Sequence, residues 1–251
     1  MEAALLTLRW CPVTPCTVIA IDGPAGSGKS STSRALASRL GLRYLDTGAM
    51  YRAMAWGMLQ RGVDLADPFA IGERSGEPEV HVSTSPVGQV VSCDGVDVTD
   101  AIRGEAVTAA VSSVSAVPQV RARLVELQRE AVSSAVADGA GIVVEGRDIG
   151  TVVLPDAKLK VFLTADEAER ARRRALEEAQ RAGAPDAEQA ADDAAAAVRE
   201  QLAARDAVDS GRAASPLRPA DDAVVVDATS LSLDEVVDRM VQLATERGSD
   251  E

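Results

Sequence analysis

A chain of 251 residues can bury a full core as one α/β domain with an insertion or as two small domains, which excludes a peptide-sized module. Its net charge of −13 argues against wrapping nucleic acid or holding to an anionic membrane, since both rely on clustered positive charge. Small anionic substrates stay open, because a local arginine cluster in a cleft binds phosphates while the exterior remains acidic.

Cys11, Cys16 and Cys93 are too few and too irregularly spaced for a disulfide framework, so a reducing cytoplasm is the expectation. No apolar run approaches a membrane span. The stretch from Met1 to Cys16 lacks a basic n-region, carries Glu2 and contains Pro12 and Pro15; it reads as a disordered leader or a misassigned start. Aromatic residues are 2% of the chain, which predicts a core of small aliphatics and Ala-rich helices.

The first informative stretch is Ile19-Ala-Ile-Asp-Gly-Pro-Ala-Gly-Ser-Gly-Lys-Ser-Ser-Thr32. A buried strand over Val18 to Ile21 ends in Gly23, four residues pass, and Gly28-Lys29-Ser30 opens an amphipathic helix over Ser31 to Leu40. This is the pattern of a phosphate-binding loop. Gly23, Pro24, Ala25, Gly26, Ser27 and Gly28 let backbone N–H groups turn inward around anionic oxygens, and the helix N-terminus adds its positive end. Lys29 reaches the outer phosphates, Ser30 and Ser31 follow at the helix start, and the Ser30 hydroxyl stands where a phosphate-bound Mg²⁺ needs an oxygen. The alternative is a chance Gly-rich turn. Only three of the 26 basic residues are lysines, and one of them stands here.

Leu42 to Gly48 reads as a short strand running into the polar turn Asp46-Thr47-Gly48, followed by a helix over Ala49 to Arg61 that carries Tyr51 and Arg52. In an open parallel sheet these residues face the same crevice as the phosphate-binding loop. Arg52 is then either a phosphate contact or a solvated surface charge. From Val63 to Arg103 the texture changes to Gly, Pro, Ser and short alternating runs, with Asp94-Gly95 as a hairpin signal, which predicts a small antiparallel β insertion. The single histidine, His81, lies inside it without a second ligand at metal spacing and reads as a structural strand residue.

Helices are predicted over Glu105 to Ala116 and Val117 to Asp138, the second carrying Arg121. Gly141 to Gly150 reads as a buried strand breaking into a polar turn, which brings Glu145, Arg147 and Asp148 to a strand's carboxyl end; a structural Arg-Asp surface pair is the alternative. Lys158 to Leu163 is a further strand. The helix over Asp166 to Ala182 is read as turning most of Arg170, Arg172, Arg173 and Arg174 to solvent. After a break at Gly183-Ala-Pro185, an acidic helix over Asp186 to Ala204 opens into a stretch with Arg205, Asp209 and Arg212, either a mobile cationic flap or an ordinary charged loop. A strand over Asp222 to Asp227 and a helix over Leu233 to Glu246 complete a three-layer α/β fold around a mostly parallel five-stranded sheet.

A phosphate-binding loop alone implies only a nucleoside triphosphate. The Asn-Lys-x-Asp segment of a GTPase is missing from the sequence, whereas Arg52, Arg121, Arg147, Arg205 and Arg212 recur at places the fold brings together. Transfer between two phosphates needs such charge neutralisation, and an acceptor that is already ionised needs no general base.

On the segments Ile-Asp-Gly-Pro-Ala-Gly-Ser-Gly-Lys, Leu-Asp-Thr-Gly-Ala-Met-Tyr-Arg, Glu-Gly-Arg-Asp-Ile-Gly-Thr-Val-Val and Arg-Asp-x-x-Asp-Ser-x-Arg, the sequence resembles the bacterial cytidylate kinase family, from about Val18 to Ala244. These are P-loop nucleoside monophosphate kinases. The resemblance implies transfer of the γ-phosphate of ATP, with Mg²⁺, to CMP or dCMP. It implies a P-loop kinase core over residues 17–251, a β-rich NMP-binding insertion over 63–103 and a helical lid over 183–219, with residues 1–16 outside the match. It places Thr47, Arg52 and Arg147 on the acceptor phosphate and Tyr51 in its pocket. Ser112, Arg121 and Asp148 would read cytosine, since a carboxylate accepts from the exocyclic amine and is left unpaired by uracil. Arg205 and Asp209 would contact the sugar or phosphates, Arg212 would close over the transferring group, and Lys29 with Mg²⁺ at Ser30 would serve ATP.

Two departures stand out. Ala207 and Val208 occupy positions where some members carry further arginines, and Glu145 stands where the family often has Asp. The expectation is a cytoplasmic monomer acting on ATP and CMP or dCMP, without nucleic acid or membrane partners. The rival readings are a kinase for another small acceptor and a non-catalytic nucleotide-binding regulator.

Overall fold

The computed structural model describes residues 17–212 and 215–248. Residues 1–16, read as a leader and holding Cys11 and Cys16, lie outside them, as do Ala213 and Ala214 of the expected lid.

Strand β1 (Val18–Asp22) is apolar from Val18 to Ile21 and sits at the centre of a five-stranded sheet. Its neighbours are β6 (Ile142–Glu145) and β7 (Leu159–Thr164), with β2 (Arg43–Asp46) and β8 (Val224–Asp227) at the edges. The order is β2-β6-β1-β7-β8, and every pairing is parallel, where a mostly parallel sheet is predicted. Near-continuous apolar strands are what a parallel sheet covered on both faces requires. Helices α1 (Lys29–Leu40) and α8 (Leu233–Gly248) cover one face, packing Leu36, Val236 and Met240 against Ile19, Ile21 and Val161. The other face carries α2 (Thr47–Gln60), α4 (Glu105–Ala116) and α5 (Pro118–Ala137), with Met54, Val114 and Leu124 over Ala20 and Val144.

The phosphate-binding loop leaves β1 at Gly23, where an added Cβ would stand 2.0 Å from the Leu163 carbonyl oxygen of β7. No side chain fits there, so the loop is built on a close approach of two strands.

Between α2 and α4 lies the predicted insertion. Strands β3 (Val80–Val82), β4 (Val91–Cys93) and β5 (Val96–Asp97) form a separate three-stranded antiparallel sheet. The Asp94-Gly95 hairpin has positive φ at both residues, 53° and 74°, as a two-residue primed turn demands. The insertion also contains a short helix, α3 (Pro68–Glu73), that the reading of strands alone does not anticipate; Asp67 caps it by accepting from the Phe69 N–H, and Pro68 starts it. His81 is exposed on β3 opposite Ser92.

The other differences lie near the carboxyl ends of the strands. Asp46-Thr47-Gly48 is not a free turn: Asp46 caps α2, which begins at Thr47. After β6, residues Ile149–Val153 form a π-helical turn. Helix α6 (Glu167–Arg181) leads to α7 (Ala187–Ser210), which runs six residues past the predicted opening at Ala204, so Arg205 and Asp209 are helical. Nothing between Arg205 and Ser210 breaks a helix, and the chain turns at Gly211. The two helices pack on small residues, Ala171, Ala175, Ala191 and Val198, in keeping with the small-aliphatic composition.

Candidate active site

One cleft lies beyond the carboxyl ends of β1, β2 and β6, where an open parallel sheet collects ligands. From the loop side it is lined by Ala25, Gly26, Gly28, Lys29 and Ser30. Gly23, Pro24 and Ser27 build the loop without lining the cleft, and Ser31 is exposed. Lys29 is 7% exposed and folds back, its Nζ donating to the Pro24 carbonyl at 2.5 Å and to Ser27 Oγ at 3.3 Å. Burial first, and then the charge of Arg147, hold its ammonium well below the usual lysine range. A phosphate between Lys29 and Arg147 would relieve both effects.

Beside the loop, Glu145 ends β6 and is 3% exposed. Its Oε1 accepts from the Tyr44 hydroxyl at 2.6 Å, while Oε2 has no hydrogen-bond partner among the described residues. Burial, and next the negative charge of Asp46, push its carboxyl up to about 7, with the Tyr44 hydroxyl, Lys29 and the nearby Ser30 hydroxyl acting the other way. Thr47 donates to the Glu145 carbonyl at 2.7 Å, which fixes the start of α2 against the end of β6.

Asp148 and Arg121 form a buried pair at 2.5 Å. Arg121 also donates to the Ser115 carbonyl at 3.2 Å, and its guanidinium lies 5.3 Å from the centre of the Tyr51 ring. Burial pushes the Tyr51 hydroxyl up to about 12, so the ring is a neutral wall. Asp209 accepts from Arg147 at 3.1 Å and pairs with Arg212 at 2.5 Å, and Arg212 donates to Ser115 Oγ at 3.1 Å. Thus α7 is tied to β6 and α4 across the cleft.

Cations crowd the cleft. Arg52 is lowered to about 10 by burial and then by Arg205, and Arg205 to about 10 by burial and then by Arg147. Arg212 is lowered too, chiefly by burial. Guanidinium groups stay protonated, so these shifts record the cost of burying the cations, to which like-charge proximity adds and which a multivalent anion would offset. The Arg205 and Arg212 Nε atoms are buried without partners among the described residues.

The structure brings Lys29, Ser30, Thr47, Tyr51, Arg52, Arg121, Arg147, Asp148, Arg205, Asp209 and Arg212 to this one cleft. Ser112 does not line it; Ser115, less than one helical turn on, does, and donates to the Ser112 carbonyl at 3.2 Å. Arg103 lines it without having been singled out in sequence, and Arg174, read there with the solvent face of α6, lines it too. The predicted solvent face of α6 holds only in part. Arg172 is half exposed, but Arg170 is 7% exposed, pairs with Asp206 and donates to the Ala25 carbonyl at 3.0 Å, because the helix packs on the phosphate-binding loop. Asp206 in turn accepts from the Ala25 N–H at 3.3 Å. The buried Ala171 and Ala175, four residues apart, are the signal that this face is not free.

Among the described residues no group of three or more His, Cys, Asp or Glu side chains could hold a metal ion. The Ser30 hydroxyl and the unpartnered Glu145 oxygen could hold Mg²⁺, since this ion takes one or two protein oxygens together with phosphates and water. No helix of the described residues is long and apolar enough to cross a membrane.

Known proteins match this chain over nearly all its length. The family described as cytidylate kinase matches residues 19–246. Proteins named cytidylate kinase include one from Streptomyces avermitilis, 51% identical over 93% of this chain and 94% of its own. One from Rhodococcus opacus is 51% identical over 93% and 97%, and one from Geobacillus thermodenitrificans 48% identical over 91% and 96%.

Proposed function

The chain belongs to the cytidylate kinase family, and from that premise we propose how its cleft passes the γ-phosphate of ATP to CMP or dCMP. The observation that carries the reading is the buried Arg121–Asp148 pair opening on the same cleft as the phosphate-binding loop. A switch protein has no use for a base-reading pair and crowded arginines opposite its loop, which disfavours the regulatory alternative.

The loop from Gly23 to Ser31 takes the ATP phosphates through its N–H groups, and Lys29 turns from Pro24 to the outer phosphates. Ser30 and Glu145 would hold the phosphate-bound Mg²⁺. When bound, that ion neutralises charge on the phosphate oxygens. Thr47, Arg52 and Arg147 hold the acceptor phosphate, with Tyr51 as the wall of its pocket. Asp148 accepts from the exocyclic amine of cytosine, Arg121 donates to the same edge, and the serine-rich turn 112–115 of α4 completes it. Arg205 and Asp209 contact the sugar and phosphates, and Arg212 closes from the end of α7.

The acceptor oxygen attacks the γ-phosphorus in line as the bond to ADP breaks. The arginines stabilise charge on the transferring group, and the dianionic acceptor needs no base. Segments 63–103 and 183–219 act as the acceptor-side insertion and the lid, closing to exclude water. We take the protein to act as a cytoplasmic monomer on these nucleotides, its charge of −13 keeping it from nucleic acid and anionic membranes. Calorimetric titration with CMP and UMP tests the reading. CMP is expected to bind at least about tenfold tighter, since uracil leaves a buried acceptor unpaired, and equal affinity would overturn it.

A further inference from the structure

Asp22 ends β1 immediately before the phosphate-binding loop, yet it does not line the cleft. It is 4% exposed and both its oxygens are occupied, Oδ1 accepting from the Ile149 N–H and Oδ2 from the Gly150 N–H, each at 2.8 Å. These are the first N–H groups of the π turn after β6, which Asp148 precedes without a side-chain cap. A carboxylate from a neighbouring strand therefore supplies the cap that the turn lacks.

The turn is also pinned from its other side. A Cβ on Gly150 would stand 3.2 Å from Cδ of Lys160, and Lys160 is held by Asp222 at 2.8 and 2.9 Å. Upstream, the Gly146 N–H donates to the Ile21 carbonyl at 3.0 Å. Arg147 and Asp148 lie between these fastenings, so β1 fixes the backbone that carries them.

We propose that Asp22 is a positioning residue for the acceptor nucleotide, setting the placement of Asp148 and Arg147 although it belongs to the strand that leads into the donor loop. This rests on the acceptor reading above. The site requires two acceptors: an asparagine offers one oxygen to a single N–H and sets its NH₂ against the other. The turn then relaxes, Asp148 loses its alignment with Arg121, and cytosine recognition suffers. A residue that served only the neighbouring donor loop would instead affect ATP.

The test is calorimetry on Asp22→Asn with CMP, UMP and a non-hydrolysable ATP analogue, each titrated alone. The CMP Kd is expected to rise about tenfold and CMP-over-UMP preference to fall comparably, with the analogue's Kd unchanged within about twofold. Hydrogen exchange of the Ile149 and Gly150 amides is expected to quicken while β1 stays protected, which separates local loosening from unfolding. If Asp22→Asn does not fold, Asp22→Glu, which keeps the charge near Lys29 but shifts both oxygens by a methylene, is read in the same way. Unchanged CMP binding, or loss confined to the ATP analogue, overturns the inference while the acceptor reading stands. Wild-type protein that binds no CMP overturns both.

Discussion

Replacing Asp148 by asparagine keeps the shape of the side chain and removes its charge at the point where base recognition is assigned. Asp148 and Arg121 are 6% and 7% exposed at the side chain and 2.5 Å apart, so neither has water to replace its partner. Removing one partner of a buried pair costs about 3–5 kcal/mol; the amide oxygen keeps one bond to Arg121, and about 2 kcal/mol is expected. In a chain of this size that lowers Tm by about 5 °C, which leaves the variant folded and assayable. Losing the charge-assisted bond to the cytosine amine is worth about 1.5–3 kcal/mol, or about 10- to 150-fold in kcat/KM for CMP. The amide's own N–H₂ can donate to the uracil carbonyl, so UMP is expected to gain while CMP loses. A coupled steady-state assay of ADP release, with CMP or UMP varied at saturating ATP, reads both. If Asp148→Asn keeps its CMP kcat/KM within about twofold and still ignores UMP, Asp148 does not read the base.

Lys29→Ala is expected to lower kcat by at least about a thousandfold while CMP still binds in calorimetry, and turnover near wild type would contradict the role of the loop. Arg170 and Asp206 grip Ala25 of the loop from α6 and α7, so Arg170→Ala should raise KM for ATP about tenfold and leave KM for CMP unchanged; the reverse split would refute the link. Burial raises the Asp22 carboxyl from 3.8 to about 6, with nearby Asp148 adding to the rise and the Ile149 and Gly150 N–H groups and Lys29 opposing it. The folded state then holds this proton more tightly than the unfolded chain, so the Asp22 contribution to stability falls by up to about 3 kcal/mol as pH rises from about 4 to about 6. Urea unfolding should show Asp22→Asn gaining on wild type across that window, and parallel curves would contradict it.

The phosphate-binding loop was legible because its chemistry depends on local spacing: Gly23, Gly28, Lys29 and Ser30 must follow one strand in that order. Arg52, Arg147 and Asp148 could be placed because parallel strands carry their carboxyl ends to one edge. What depends on packing was not legible. Which of the arginines on α6 meet solvent depends on where the phosphate-binding loop lies, and Arg170 turns inward because that loop covers it. Ser115 rather than Ser112 lines the cleft because the orientation of α4 decides among closely spaced serines. Asp67-Pro68 is a helix-start signal, yet the Gly, Pro and Ser around it point to turns and strands. Asp22 is hidden differently, since its partners are backbone N–H groups 127 and 128 residues away that no side-chain pattern marks.

The most direct measurement is a coupled assay of the purified protein with Mg-ATP and CMP, dCMP, UMP or AMP as acceptor. The account predicts rapid ADP release with CMP or dCMP and, with UMP and AMP, a kcat/KM at least about a hundredfold lower. Preference for UMP or AMP would contradict it.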